Sequence, residues 1–359
     1  MIRSEADQAF GGVCAIARFI PNPDLLVMPY LSLEAVFSAR IEGTHTTLSQ
    51  VFETEAQVGI APDPQTQEVI NYLNAMKLGL HRVTEKQMLL SLRLVQDLHA
   101  ELLKGVRGAN AAPGRWRNLQ VHIGPGPRVE DAYFIPPPAQ YLGDLLDNWE
   151  KFLHEDARLP VLVKCAILHA QFEMIHPFFD GNGRIGRLLI SLFLIARGGL
   201  PQPLLFLSPY LEHHRDEYYD RLLAVSAHGD WQGWVSFFLR AVAAQSRQAV
   251  AAADSIVELQ SRTREQLQEQ GAPGKVLALA DLFLRRPVMT IRQAAEQIDV
   301  TFPTASKYVH ILVDMEFLQE TTGRATNQVF MAVPLLKAIE GSALPPEDMV
   351  QAPTGLELP

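Results

Sequence analysis

The stretch Ile175-His176-Pro177-Phe178-Phe179-Asp180-Gly181-Asn182-Gly183-Arg184-Ile185-Gly186-Arg187 decides how the rest of the chain is read. It lies between two apolar segments of helical character, Leu159 to Met174 before it and Leu188 to Ala196 after it. Gly181 and Gly183 remove side chains where backbone amides can close on an anion. A helix predicted to start near Arg184 adds unsatisfied N–H groups and a positive dipole end. Arg184 and Arg187 lie three apart on that helix, so both guanidiniums can reach one anionic tail. Asp180 can hold a hard divalent ion, because magnesium usually takes one or two carboxylates and fills its shell with water and phosphate. His176 alone in the run has an ordinary pKa near neutrality, as a proton acceptor for an attacking hydroxyl requires. The loop has no Ser or Cys nucleophile. The residues therefore point to direct transfer from a polyphosphate onto a bound hydroxyl, without a covalent enzyme intermediate.

The pattern His-Pro-Phe-x-Asp-Gly-Asn-Gly-Arg-x-x-Arg over residues 176–187 resembles the signature of the Fic (fido) family, with every signature position filled. The resemblance covers about two thirds of the chain. It implies a mainly α fold: a Fic-type helical core with a β-hairpin flap, followed by a small winged-helix domain. It also implies transfer of AMP from ATP to a Ser, Thr or Tyr hydroxyl of a target protein, or of the enzyme itself, with release of pyrophosphate. In that scheme His176 is the base and Asp180 carries Mg2+, or Mn2+ in its place. Gly181, Asn182 and Gly183 line the phosphate hole, with Asn182 at the α-phosphate. Arg184 and Arg187, with Ile185 and Gly186 between them, meet the β- and γ-phosphates. The barrier falls through in-line placement and charge neutralisation.

Far upstream, Ser38-Ala39-Arg40-Ile41-Glu42-Gly43 resembles the family's inhibitory signature, a Ser or Thr, three residues, then Glu before Gly or Asn. Ser32 is placed to cap a helix that Gly43 stops, with Leu33, Phe37 and Ile41 as its buried stripe. Glu42 then falls in the last turn, where the dipole disfavours an anion, so a cation is expected beside it. Arg187 is the expected partner. A Glu42–Arg187 pair would occupy the guanidinium meant for the γ-phosphate and leave ATP in an unproductive pose. In some relatives the same glutamate orients a water that removes AMP from the target, and the sequence leaves that reverse reaction open.

Arg115 to Gly124 resembles the flap, a hairpin that aligns the target segment, so Val121, His122, Ile123 and Gly124 join the candidate nucleotide and target contacts. The following Gly124-Pro125-Gly126-Pro127 turn suits an exposed edge offering main-chain bonds to an extended peptide. The family often has an Asn-Trp pair where Val121-His122 stands. Leu207 to Glu212 and Asp216 to Tyr219 resemble the helices that close the nucleotide pocket. Of Tyr218 and Tyr219, which point in different directions on a helix, one is expected to stack on adenine.

The 359 residues are 48% hydrophobic, enough for two or three domains. A net charge of −9 argues against generic attraction to nucleic acid or to an anionic membrane. The longest apolar run, Leu188 to Ala196, is too short to span a bilayer, and Met1 to Phe10 has no signal-peptide core. Cys14 and Cys165 are the only cysteines, so neither a disulfide framework nor a zinc site is indicated. A cytoplasmic enzyme is expected.

The chain divides into an N-terminal region with the inhibitory helix (1–64), a catalytic core (65–245), a helical connector (246–270), a winged helix-turn-helix (271–340) and a disordered tail (341–359). Residues 65–104 read as two helices, and 230–268 as a helix pair or one long connector. Segment 105–138 is the irregular insert that holds the flap. Thr290-Ile291-Arg292-Gln293 reads as a capping box opening a helix that ends near Ile298. Thr301 caps a second helix to about Met315, and Phe317 to Val333 forms two strands about Thr322-Gly323-Arg324. The second helix would offer Thr304, Ser306, Lys307 and His310 to DNA, with Arg324 on the wing. Between residues 271 and 340, however, seven Lys or Arg face seven Asp or Glu, so no net positive field exists. DNA reading and protein docking both stay open for this unit, as does a transcriptional regulator whose core only senses nucleotide. A homodimer is expected by resemblance.

Overall fold

Apolar residues recur at helical spacing along most of the chain, and helices dominate accordingly. The structure, a computed structural model, describes residues 2–19, 24–56, 61–106, 108, 111–124, 126, 128–155, 159–197, 199–324 and 326–341. In chain order the helices are α1 (Ile2–Phe19), α2 (Asp24–Ile41), α3 (Leu48–Ala56), α4 (Pro64–Leu80), α5 (Leu92–Leu102), α6 (Leu142–His154), α7 (Val161–Ile175), α8 (Asn182–Ala196), α9 (Ser208–His213), α10 (Arg215–His228), α11 (Trp231–Glu269), α12 (Gly274–Arg285), α13 (Ile291–Gln297), α14 (Phe302–Asp314) and α15 (Val333–Gly341). The strands are β1 (Val288–Thr290), β2 (Gln319–Glu320) and β3 (Val329–Met331).

The signature loop lies where α7 passes into α8, and both helices are deep in the core. Leu162, Cys165, Ala166, Leu168 and Phe172 bury different faces of α7, which packs against α6, α8, α10 and α11. From α11 the fully buried Trp234 donates its indole N–H to the Ala166 carbonyl at 2.8 Å. α8 is packed in turn by α2, α4 and α5. The loop is thus held at both ends by elements that cannot shift without opening the core.

α2 departs from the sequence expectation. Its helix begins at Asp24, not after Ser32, and runs through Pro29. Ser32 is fully buried within it and donates its hydroxyl back to the Met28 carbonyl at 3.1 Å. Burial explains the difference: α2 has no solvent-exposed side and is enclosed by α3, α4, α8, α9, α11, α12 and α15, so packing outweighs the N–H that Pro29 lacks. Gly43, at φ +85°, ends the turn as expected, and Leu33, Phe37 and Ile41 are buried.

Residues 231–269 form one helix of 39 residues, so the expected boundary at 245 falls inside continuous helix. α1 packs along it. The hairpin expected around residues 115–138 is reduced, among the described residues, to one antiparallel bridge between Ile123 and Phe134. Pro136, Pro137 and Pro138 have no N–H to give a ladder. The Pro136 and Pro137 carbonyls are taken instead by the side chains of Gln120 and Arg117.

The C-terminal unit builds an antiparallel sheet in the order β1-β3-β2, with Met331 opposite both Val288 and Gln319. Thr290 and Gln293 form the reciprocal capping box. Thr301 precedes α14, but its hydroxyl pairs with the Thr304 hydroxyl at 2.9 Å and caps no backbone amide. Strand β1 was not expected, because three residues are too few to show alternation. α12 and α15 pack on α2, and β1 lies beside α3, where Gln293 Nε2 donates to the Ala56 carbonyl at 3.1 Å. Of the tail expected to be disordered, residues 341–359, Gly341 is the last residue of α15 and residues 342–359 lie outside the described residues.

Trp234→Ala should lower the unfolding free energy by about 3–5 kcal/mol in chemical denaturation followed by circular dichroism. A loss below about 1 kcal/mol would show that the α7–α11 contact is not a core contact.

Candidate active site

α7 ends at Ile175, and His176 caps it in the left-handed region at φ +49°. For a residue with a Cβ this costs about 1–2 kcal/mol, so neighbours must hold it. Arg117, which is 2% exposed, does so: Nε donates to the His176 carbonyl at 2.8 Å, and its backbone N–H to the Pro177 carbonyl at 2.8 Å. Arg117 also donates to the Leu119 carbonyl at 3.1 Å, tying the flap segment to the loop. Gly181 turns the chain at φ +79° and caps α8. The buried Asn182 side chain accepts the Phe178 N–H at 2.8 Å and donates to the Phe178 carbonyl at 2.9 Å. One N–H and one lone pair of its amide are therefore used in closing the loop, which leaves a second donor beside the α8 amide turn.

His99 supports the same turn from α5. Its Nδ1 accepts the Gly114 N–H at 2.9 Å, so Nε2 carries the proton and donates to the Asp180 carbonyl at 2.9 Å. The ring stacks on Phe178 at 3.6 Å between centroids. Burial pushes the His99 imidazole down to about 4, keeping it in that neutral form.

Arg187 is fully buried, and three of its five guanidinium N–H groups are engaged. It donates Nε–H to Ser38 Oγ at 2.9 Å, and Nη2 to the Ser38 carbonyl at 2.9 Å and to Glu42 Oε1 at 2.7 Å. Burial works to raise the Glu42 pKa, but the Arg187 guanidinium outweighs it and holds the carboxyl below its ordinary value. The same Oε1 lies so close to Gly183 that a Cβ there would stand 2.5 Å from it. The Glu42 carboxylate thus lies against the glycine turn where an anionic tail was expected. Arg184, also buried, is 3.4 Å from both Glu68 and Asp180.

Six buried side-chain polar atoms among the described residues lack a hydrogen-bond partner, and three of them, His176 Nδ1, Arg184 Nε and Glu173 Oε1, surround this loop. Native interiors seldom leave such groups unmet, so their clustering marks a place that receives a polar ligand. Glu173, one turn before His176, lies against Gly186, where a Cβ would overlap its carboxylate. Burial pushes Glu173 up to about 7. Tyr218 is 1% exposed, and its hydroxyl is bonded to His169 Nε2 at 2.9 Å. Tyr219 is 40% exposed, so it is the tyrosine available to a base. Of the flap residues, Ile123 pairs with Phe134, and His122 Nε2 bonds the Gly126 carbonyl at 3.0 Å. Gly124 approaches Asp131 too closely for a Cβ, and Val121 accepts from the Gln120 side chain at 3.0 Å. The bonds of these four lie within the segment. Ile185 is buried under the loop.

Asp180 Oδ1 accepts the Gly181 N–H at 2.6 Å, and the side chain remains 37% exposed. No group of three His, Cys, Asp or Glu side chains suited to a metal exists among the described residues. The Asp180 carboxylate suits magnesium, which relies on one or two carboxylates beside phosphate and water. The sequence missed His99, Arg117, Glu68 and Glu173 as site residues.

Against known families, residues 3–81 match the Fic/DOC family N-terminal region and residues 89–194 match the Fic/DOC family. A probable protein adenylyltransferase of Aquifex aeolicus is 29% identical over 169 residues, which cover 46% of this chain and 48% of that protein. The protein adenylyltransferase Fic of Aedes aegypti is 30% identical over 205 residues, 56% of this chain and 38% of that protein. The match therefore spans less than half the length of these curated relatives. Among solved structures, a Fic family protein from Desulfovibrio desulfuricans superposes with a TM-score of 0.58 at 22% identity, over 92% of this chain and 94% of that one. Fic-1 from C. elegans does so at 0.54 and 21%, over 70% and 73%. At those identities the structures speak for the fold alone.

Burial pushes the His176 imidazole down to about 4, against the opposing pull of the Glu173 carbonyl and the Glu42 carboxylate. The folded chain therefore binds fewer protons here than the unfolded one between pH 6.5 and 4, so this contribution to stability is complete above 6.5 and is lost as pH falls towards 4. A proton NMR titration, assigned by the signal lost in His176→Ala, should show a neutral ring at pH 6.5 and a step near 4. A step at 6.5 would contradict the burial argument.

Proposed function

The chain belongs to the Fic/DOC family, and on that premise we propose that it is a protein adenylyltransferase held in an autoinhibited state by Glu42. The reaction joins the oxygen of a Ser, Thr or Tyr hydroxyl on a target protein to the α-phosphorus of ATP. The bond from the α-phosphorus to the bridging oxygen breaks, pyrophosphate leaves, and the hydroxyl proton goes to His176. His176 is neutral at physiological pH and so free to accept that proton, though burial makes it a weaker base than an ordinary imidazole, and its strained backbone is fixed by Arg117. The α8 amide turn at 181–183 cradles the phosphates, and Arg184 and Arg187 neutralise the tail. Asp180 would hold Mg2+, which supplies charge neutralisation on the phosphate oxygens when bound. Tyr219 would face the base, and the flap segment the target.

One observation carries the autoinhibited reading: the Glu42 carboxylate bonds Arg187 at 2.7 Å and fills the space over Gly183. A γ-phosphate cannot occupy the same position, so ATP is held short of the in-line pose. This favours an enzyme over a nucleotide sensor, since a sensor has no use for a neutral base in the loop. We read the C-terminal unit as a winged helix-turn-helix from its α13–α14 pair and three-stranded sheet. Its balanced charge favours a protein partner over DNA. A salt-sensitive mobility shift of DNA by the full chain would reverse that choice. No helix among the described residues is long and apolar enough to cross a membrane. A homodimer belongs to the same proposal, and a light-scattering mass of one chain, 40.0 kDa, would remove it.

Incubation with α-labelled ATP and magnesium tests the reaction. Glu42→Gly should raise protein labelling by about tenfold or more, as expected when a charge-assisted contact that blocks the productive pose is lost. His176→Ala in that background should lower it by about a hundredfold or more. Labelling that survives without His176 would mean that the base is another group, and no rise with Glu42→Gly would end the autoinhibited reading.

A further inference from the structure

Glu34 and Ser38 on α2 and Glu42, the first residue past its end, are spaced four apart and so follow one side of the helix. Ser38 and Glu42 hold Arg187, whereas Glu34 points to a different set of partners. It is 1% exposed, and its carboxylate accepts three bonds: from the Tyr72 hydroxyl at 3.0 Å, the Ser208 N–H at 3.1 Å and the Ser208 hydroxyl at 2.5 Å. Tyr72 on α4 and Ser208 at the start of α9 are both fully buried. The Tyr72 phenol also faces Ser38. Ser208, Glu34 and Tyr72 therefore form one hydrogen-bonded cluster against the same helix that carries Ser38 to Arg187, in an otherwise apolar interior.

A buried carboxylate is a poor way to gain stability, since an apolar residue of similar volume commonly does as well. What it adds is direction. α2 has no solvent-exposed side to fix its rotation, and apolar packing tolerates sliding that three aimed hydrogen bonds do not. We propose that Glu34 is a positioning residue for inhibition: it seats α2 against α4 and α9 and so sets the register that places Ser38 and Glu42 on Arg187. This rests on the autoinhibited reading above and adds the device that enforces it.

The seat should also respond to pH. Burial pushes Glu34 up to about 7, against the Ser208 and Tyr72 donors and the Arg187 charge, the groups that face it from α9, α4 and α8. A carboxyl whose pKa is higher in the seated helix than in solvent takes up a proton on seating. Seating therefore weakens as pH rises through 7, and inhibition should loosen in the same direction.

The test compares full-length Glu34→Ala and Glu34→Gln, each with and without Glu42→Gly, by labelling from α-labelled ATP across about pH 6 to 8. Glu34→Ala should raise labelling about tenfold in the natural background and leave the Glu42→Gly background unchanged. Glu34→Gln, which mimics the protonated carboxyl, should keep inhibition and flatten its pH dependence relative to the natural chain. A merely structural role predicts instead equal loss with Glu34→Ala in both backgrounds, which would overturn the proposal, as would no change in either. If the alanine variant fails to fold, the glutamine variant decides: an unaltered pH dependence of inhibition overturns the proposal. A rise with Glu42→Gly but none with Glu34→Ala removes this inference alone. Failure of Glu42→Gly itself removes the autoinhibited reading beneath it.

Discussion

Arg187 is a fully buried cation on the first turns of α8, and a buried guanidinium left without its anion costs about 3–5 kcal/mol. The surrounding structure is arranged around that requirement. In the folded chain the anion is the Glu42 carboxylate, with Ser38 supplying two further acceptors. A Cβ at position 183 would crowd both the Glu42 carboxylate and the guanidinium, so glycine keeps the space beside them open. A carboxylate and a phosphate oxygen make nearly the same demands on a guanidinium fork, so on this account they compete for a single berth. The competition needs no movement of the loop, which His99, Arg117 and Asn182 hold whichever anion is present. The competing carboxylate stands just past the end of α2.

That places unusual weight on what α2 touches. It is enclosed by helices of the catalytic core on one side and by α12 and α15 of the C-terminal unit on the other. β1 lies beside α3, just downstream of the inhibitory sequence, and Gln293 bonds the last residue of α3. The C-terminal unit thus meets α2 and α3 by direct packing. The single 39-residue α11, about 60 Å long, gives both halves a shared rigid spine.

Much of this was legible in the sequence, for identifiable reasons. The signature loop could be read because its chemistry is local: two glycines, a carboxylate, an imidazole and two arginines within thirteen residues. The pairing of Glu42 with Arg187, 145 positions apart, was expected from the resemblance of residues 38–43 to an inhibitory signature, the helix end itself calling only for some cation nearby. The capping box at Thr290 is likewise set by neighbours in sequence. What escaped was set by tertiary contact. Ser32 reads as a cap in isolation but is buried inside a longer helix. Arg117 spends its charge on carbonyls 59 and 20 positions away, so no acidic neighbour announces it. His99 carries no motif, and its partner Asp180 lies 81 positions on. Asn182 could be placed in the loop but not oriented, because an amide serves a backbone or a phosphate equally well.

The competition for Arg187 is most directly examined by crystal structures of the natural chain and of Glu42→Gly with a non-hydrolysable ATP analogue and magnesium. The account requires the γ-phosphate on Arg187 in the variant, with the α-phosphate facing His176, and Arg187 still on Glu42 in the natural chain with the tail displaced. A natural chain whose γ-phosphate bonds Arg187 while Glu42 keeps its place would contradict it.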